Sequence, residues 1–217
     1  MRSHGVIAFV LVGFALGCYD KGGAVYLGAL EKLGMEKRDV LVKRVKNTKE
    51  AQEEAQEQFR DALEEFQAMA NYDGGELEKQ YEKLRSEYES SAEKADEVHR
   101  RIKGIKKVSD KLFKEWQTEL EQFSDADMRR ASAEQLDETR RRSAELIATM
   151  DKAAATMDPV LKQLEERVLF LKHNLNAQAL GSLQQSSETL QQDVTVLISE
   201  MQKSIAEADR FIADMNP

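Results

Sequence analysis

The sequence predicts an all-α protein, an elongated antiparallel coiled coil or up-down bundle of about four long helices. Pro occurs only twice in 217 residues, and charged residues make up 33%, a composition that favours long helices over a sandwich or a barrel. No segment from Gly22 onward alternates apolar and polar residues with a period of two, so no strand is predicted. Apolar residues recur instead at spacings of three and four from about residue 37 onward, which is typical of packed helices.

The first two long helices are predicted at about residues 37–71 and 76–123. The segment 71–75 between them contains Asn, Asp and two Gly, which supply turn conformations. Each helix carries one unbroken inner face, or seam, of residues spaced by three or four. The first seam comprises Leu41, Val45, Thr48, Gln52, Ala55, Phe59, Ala62, Phe66 and Met69. The second comprises Leu77, Tyr81, Leu84, Tyr88, Ser91, Ala95, Val98, Ile102, Ile105, Ser109, Leu112 and Trp116.

The third helix is predicted from the turn at 124–127, which is rich in N-cap residues, to about Leu180. Its seam is predicted to slip by one residue at Asp158-Pro159. Since Pro lacks the N–H of an interior helical bond, we expect a kink or a new start there, with Asp158 as the N-cap. The seam comprises Leu136, Thr139, Ser143, Leu146, Met150, Ala153 and Met157, then Leu161, Leu164, Val168, Leu171 and Leu175.

The last break is predicted at Gly181-Ser182, because Gly suits a helix end and Ser182 with Gln185 forms a capping box. The fourth helix follows, and short turns make neighbouring helices antiparallel. Its seam comprises Leu190, Val194, Leu197, Met201, Ile205, Ala208, Ile212 and Met215.

The N-terminus resembles a secretory signal. Arg2 precedes an apolar run from Gly5 to Gly17, a layout typical of a signal peptide over residues 1–17. The run is shorter than the ~20 residues that span a bilayer comfortably. Cys18 follows it directly, at the position where a bacterial lipobox is acylated and cleaved, although the order Ala15-Leu16 reverses the usual one. The alternative is a Cys that merely lies within a cleaved signal or an uncleaved anchor.

Three regions follow from this interpretation. Residues 1–17 form the signal peptide, residues 18–35 the lipidation site, tether and short helix, and residues 36–217 the bundle. The tether is expected at Gly22-Gly23, and the short helix at residues 24–33, ended by Gly34. Because Tyr19 stands where the Asp of inner-membrane retention is expected, outer-membrane anchoring is favoured. Asp20 follows one residue later and leaves the inner membrane as an alternative. Removal of residues 1–17 changes the net charge from −8 to −9, since only Arg2 is lost.

The residue types offer little catalytic chemistry, and no enzyme, cofactor or metal is predicted. One Cys excludes an internal disulfide framework, and three His exclude a zinc finger. A di-iron bundle needs two Glu-x-x-His motifs, whereas the chain has only Asp96-x-x-His99 as a loose analogue. His173 is interpreted as an ordinary helical polar residue.

Two basic clusters are candidate contacts with an anionic surface. The first comprises Arg100, Arg101, Lys103, Lys106 and Lys107, with Phe113 and Trp116 after it. The second is Arg140-Arg141-Arg142. The favoured interpretation is that both are solvated helix faces whose charges pair with acids on neighbouring helices.

Three stretches resemble a known family: GAVYLGALEKLGMEKRDVLVKRVKNTKEAQEEAQEQF (23–59), DPVLKQLEERVLFLKHNLNAQALGSL (158–183) and SEMQKSIAEADRFIADM (199–215). The family is a group of uncharacterised bacterial proteins catalogued as a domain of unknown function, and the resemblance runs from about residue 19 to the C-terminus. It implies a helical, lipoprotein-like envelope protein. Some members are named as DNA repair proteins, which we attribute to coiled-coil similarity. The resemblance implies no established activity and no functional residues.

These observations leave three hypotheses. The first is a lipid-anchored periplasmic scaffold or adaptor without enzymatic activity, which joins the membrane through Cys18. Its exposed seams would bind other helical envelope proteins or a second copy. The second is a helical module that binds a membrane or an anionic polymer through the cluster at 100–107. The third is a cytoplasmic coiled-coil protein associated with nucleic acid, which the net charge of −8 argues against.

Overall fold

The computed structural model describes residues 21–72, 74 and 76–215, with side-chain packing from Lys37 onward apart from residues 177–179. It contains five α-helices, α1 (Lys21–Ala70), α2 (Leu77–Glu119), α3 (Ala126–Ala155), α4 (Met157–His173) and α5 (Ala177–Met215). A short 3-10 turn, Leu120–Gln122, follows α2. No strand occurs in this part of the chain, so the predicted all-α class is confirmed.

The chain divides into two compact units, Met1–Leu33 and Gly34–Pro217. Within the first, the described residues belong to the beginning of α1. This helix is assigned without interruption through Gly22, Gly23 and Gly34, so the helix boundaries predicted there are wrong. Neither the Gly22-Gly23 tether nor the stop at Gly34 is present as a separate element.

The second unit is a four-helix bundle in which α3 and α4 together form one arm. α2 packs against both of them, and both pack against α5. α1 closes the bundle by contacting α2 and α5. Along α1, Glu54 pairs with Lys94 and Gln58 bonds to Glu87. Since the partner numbers fall as those on α1 rise, α1 and α2 run antiparallel.

The predicted seams of the first two helices form the core of this bundle. All nine residues predicted for α1 are buried, including Phe59 and Phe66 with no exposed surface. In α2 every predicted seam position is buried except Leu77, Tyr88 and Trp116, which are partly buried against the core. The seams are therefore filled by the chain's own helices, and the expectation that they are exposed for a partner is wrong for the described bundle.

The turns before α2 and α3 form where they were predicted. Asn71 closes α1 by donating its backbone N–H to the Gln67 carbonyl at 3.0 Å and its side-chain amide to the same oxygen at 2.9 Å. Gly74 has φ of 154°, a conformation that residues with a side chain rarely adopt. Asp125 caps α3 by accepting bonds from the backbone N–H groups of Asp127 and Met128, both at 2.9 Å.

The break between α3 and α4 differs from the prediction in position and in consequence. It lies at Thr156, whose hydroxyl bonds to the Ala153 carbonyl at 2.7 Å, and Asp158 is not the cap. Pro159 falls in the first turn of α4, where its missing N–H has no helical partner to lose. The seam therefore does not slip, and Val160 is fully buried in place of Leu161.

The break before α5 is also misplaced in the prediction. α4 ends at His173 and α5 begins at Ala177, so Gly181 and Ser182 lie inside α5. Asn174 caps α4 by donating its side-chain amide to the Phe170 carbonyl at 3.0 Å. Leu175 lies in the connection and is 37% exposed, so it is not a seam residue.

Polar groups interrupt the apolar core of the bundle, and at two places they link neighbouring helices. The Ser204 hydroxyl of α5 donates to Oε1 of Gln52 on α1 at 3.0 Å, and both residues are fully buried. Nε2 of Gln52 has no hydrogen-bond partner among the described residues. The hydroxyls of Ser109 on α2 and Ser143 on α3 lie 3.2 Å apart, also buried. In α5 the buried seam positions are Ser204 and Phe211, whereas the predicted residues Ile205 and Ile212 are only partly buried.

Truncation of a seam residue measures how much the packed core contributes. Phe59→Ala leaves a cavity between the helices, so we expect it to lower the free energy of unfolding by about 3–5 kcal/mol. Phe170→Ala is the matched control, because Phe170 is 42% exposed, and we expect a loss of about 1 kcal/mol or less. Urea unfolding followed by circular dichroism measures both, and equal losses would contradict the assigned core.

A double-mutant cycle tests the buried Gln52–Ser204 pair. Ser204→Ala leaves Oε1 of Gln52 without a donor and should cost about 1–3 kcal/mol. Gln52→Leu combined with Ser204→Ala removes all of these polar groups, so the double variant should be at least as stable as the native protein. Urea unfolding of the two single variants and the double variant completes the cycle. A double variant less stable than the native protein would show that the polar pair is net stabilising.

Candidate functional site

The first basic cluster lies on α2 in the stretch that packs between α1 and the α3–α4 arm. Residues with three- and four-residue spacing point inward here, through Val98, Ile102 and Ile105. The helical repeat therefore turns the intervening positions toward the neighbouring helices or outward. The five basic residues of the cluster are divided between these two environments.

Arg101 and Lys106 are satisfied within the bundle. Arg101 bonds Oε1 of Glu97 with its Nε at 2.9 Å and its terminal nitrogen at 2.5 Å. This guanidinium is the main reason that the pKa of Glu97 lies below its usual value. Lys106 reaches across to α3 and bonds Asp151 at 2.8 Å. Lys106 thus pairs with an acid on a neighbouring helix, as predicted, whereas Arg101 pairs within its own helix.

The other three residues of the cluster behave differently. Arg100, Lys103 and Lys107 are exposed and have no ion-pair partner in the described part of the chain. Two further residues, Lys111 and Lys114, continue the same face, are exposed, and likewise lack a described partner. We call the set Arg100, Lys103, Lys107, Lys111 and Lys114 the α2 basic stripe. The prediction missed its last two members because it used charge density, and the three-and-four spacing would have found them.

A cation from α1 lies beside this stripe. A Cβ atom at Gly104 would be 2.7 Å from a terminal nitrogen of Arg44, so the Arg44 guanidinium rests directly over the Gly104 backbone. Arg44 also lacks an ion-pair partner among the described residues. Gly104 weakens helix α2 locally, and in exchange it leaves space for an additional positive charge near Lys103 and Lys107.

The second basic cluster is neutralised by carboxylates. Arg141 pairs with Glu138 and Glu145, each at 2.7 Å. Arg142 bonds Glu138 at 2.6 Å and reaches Asp214 of α5 at 2.5 Å. The Arg141 and Arg142 guanidinium groups lower the pKa of Glu138 to about 2. Arg140 lies over the Phe113 ring, 5.7 Å from its centroid.

A cleft of about 270 Å³ lies between α3 and α5 at this second cluster. Glu138, Arg142 and Asp214 line it together with the apolar side chains of Phe211 and Met215. Its charged groups are bonded to one another, so none is left free to act on a substrate as an acid or a base.

The histidines do not assemble a metal site in the described residues. Nε2 of His99 lies 3.4 Å from Oδ1 of Asp158 on α4, and both side chains are largely exposed. Asp96 and His173 are also exposed. Across the ranges that the structure describes, no group of three or more His, Cys, Asp or Glu side chains is placed to hold a metal ion. Cys18 lies outside the described residues.

The fold and its surfaces define the class of protein: an all-α four-helix bundle with filled inner faces and charged outer faces. None of its described helices is both long enough and apolar enough to cross a bilayer. The chain belongs to the family described as "Protein of unknown function (DUF2959)", which matches residues 26–215. The predicted resemblance to an uncharacterised family is thereby confirmed. No curated protein and no solved structure matches the chain.

The Glu138 network predicts a specific dependence of stability on pH. Because the pKa of Glu138 falls from 4.5 to about 2 in the folded protein, its ionised form stabilises the fold above pH 4.5. That contribution is lost as the pH falls toward 2. Glu138→Gln should therefore be less stable than the native protein near neutral pH, and the difference should vanish near pH 2.

Urea unfolding at a series of pH values measures this difference. Glu121→Gln is the control, since Glu121 is exposed and has no ion pair in the described ranges. It should change stability little across the same series. A Glu138→Gln difference that does not vary with pH would contradict the assigned network.

Proposed function

We propose that this protein is a lipid-anchored scaffold or adaptor of the bacterial envelope, facing the periplasm and acting without enzymatic activity. The observation that carries the proposal is the position of Cys18. The only Cys of the chain follows an apolar run that starts after Arg2 and ends with the small residue Gly17. Acylation explains the position of this Cys better than chance does.

The bundle suits a scaffold because its own helices already fill its seams. Interaction with a partner then uses the outer faces, which leaves the folded core unchanged on binding. These faces carry ion pairs between helices, such as Lys49 with Asp209 at 2.7 Å and Lys152 with Glu200 at 2.9 Å. They give each face a distinct charge pattern, and such patterns select partners more than they add affinity.

The absence of catalysis is supported by the chemistry of the described surface. An active site needs a nucleophile, acid or base held in a concave site with a perturbed pKa. The cleft between α3 and α5 has a perturbed carboxylate in Glu138, but two arginines hold it ionised. A permanently ionised and paired carboxylate can position charges, and it is a poor proton carrier near neutral pH.

Anchoring in the outer membrane is part of the proposal and rests on Tyr19. An acidic bundle is repelled by an anionic surface as a whole, so attachment through acyl chains removes the need for a general electrostatic attraction. More than one acyl chain is needed for stable anchoring, since each buried CH₂ contributes ~0.8 kcal/mol. The Cys of a lipoprotein commonly carries more than one acyl chain.

Metabolic labelling with palmitate tests the anchor. We expect the full-length protein to incorporate label and Cys18→Ser to incorporate none, because the thiol is the site of attachment. Gly17→Ala is the matched control, since it keeps a small residue before Cys18 and should remain labelled. After a wash at about 0.5 M salt to remove charge-dependent binding, only the labelled forms should stay in the membrane fraction. A native protein without label would overturn the anchor.

A further inference from the structure

The α2 basic stripe is a concentration of unpaired positive charge on an acidic protein. Elsewhere in the described bundle many cations pair across helices, as Lys94 does with Glu54 and Lys152 with Glu200. The five cations of the stripe have no such partner, although the chain as a whole carries a net charge of −8. Ion pairing within the fold therefore does not explain why these five residues lie together.

The stripe is a straight line along one helix face. Arg100 and Lys114 are separated by 14 positions, or about 21 Å at 1.5 Å per residue. The steps between successive members are three, four, four and three residues, which keep all five on one side of the helix. Arg44 adds a sixth charge beside the line, over Gly104.

The stripe also lacks exposed apolar side chains. The large apolar residues that are exposed in the described part lie at other places in the fold: Val40, Phe123, Met128, Leu169, Phe170, Leu175 and Val196. A contact made by this face is therefore electrostatic and peripheral, without insertion of side chains into an apolar phase. Such a contact weakens steeply as salt is added.

We propose that the α2 basic stripe binds the head groups of an anionic phospholipid bilayer. A straight row of cations on a convex helix meets a plane of phosphates along its whole length, which is the geometry of a membrane surface. The rest of the bundle is more acidic than the chain average and is repelled by the same plane. Binding through the stripe would thus hold the bundle in one orientation relative to the membrane. In that orientation α2 faces the bilayer, and α5 lies on the opposite side and is free for partners.

The biological setting of this proposal rests on the proposed envelope scaffold. The binding of the stripe to a bilayer itself needs no acyl chain. An acyl anchor and a polybasic surface are two signals that together give stable membrane attachment. In that arrangement Cys18 would keep the protein at the membrane, and the stripe would determine which face of the bundle turns toward it.

Vesicle co-sedimentation of the full-length Cys18→Ser protein tests the stripe without lipidation. Vesicles of phosphatidylcholine are compared with vesicles that also contain phosphatidylglycerol. We expect more binding to the anionic vesicles than to the neutral ones, and we expect this excess to be lost as salt rises from about 0.1 to 0.5 M. Insertion of residues 5–17 would occur on both kinds of vesicle and is subtracted by the comparison.

Substitution of the five stripe residues by Gln should abolish the anionic-specific binding. Each single substitution, such as Lys107→Gln, should weaken partitioning about five-fold, the effect of one cation near an anionic surface. The matched control removes five exposed cations from elsewhere in the bundle and should change binding much less: Lys79, Arg85, Arg130, Lys203 and Arg210. Circular dichroism verifies that both variants with five substitutions remain folded. If one of them does not fold, the single substitutions are compared instead.

Three results would overturn the proposal. These are equal losses in the stripe and control variants, equal binding to neutral and anionic vesicles, or stripe-dependent binding to a soluble polyanion such as heparin without binding to vesicles. A failure here leaves palmitate labelling of Cys18 unaffected, so it is distinguishable from a failure of the anchor. If labelling fails while the stripe still binds vesicles, membrane binding by the stripe stands and the lipidation of Cys18 is wrong.

Discussion

Continuous burial of one face on each helix is the constraint on which the rest of this bundle depends. Most of the stability of a helix in a protein comes from packing an apolar face and not from the intrinsic propensity of its residues. Phe59 and Phe66 on α1 and Ile102 and Ile105 on α2 supply that face without a gap. Because the inner faces are committed to the core, every functional contact of the bundle must be made by residues that the helical repeat turns outward.

The outward residues divide into those that hold helices together and those that do not. Lys106 joins α2 to α3 through Asp151, and Arg142 joins α3 to α5 through Asp214. Exposed ion pairs of this kind contribute little stability each, and their larger effect is on which helices face one another. The stripe is set apart because none of its five cations forms an ion pair in the described ranges, although the exposed Asp110 lies on the same helix between Lys107 and Lys114. Its charge is therefore available to something outside the chain.

The seams of α1 and α2 could be predicted from the sequence because they depend on local spacing alone. The errors arose where local signals compete. Pro159 looked like the break, but its place in a first helical turn removed the conflict, and Thr156 ended α3 instead. Gly181 looked like a helix end, whereas Asn174 made the capping bond. For the basic cluster, pairing could not be read from sequence, since Asp151 lies 45 positions from its partner Lys106.

The two buried polar pairs disfavour packings of the bundle in which the helices are out of register. A core built from repeating apolar layers tolerates sliding by a helical turn, because one layer resembles the next. Gln52 with Ser204 links α1 to α5, and Ser109 with Ser143 links α2 to α3, at different heights in the core. Sliding either pair by a turn would strand hydroxyl and amide groups against aliphatic carbon. These polar contacts thus select one register between the helices, at some cost in total stability.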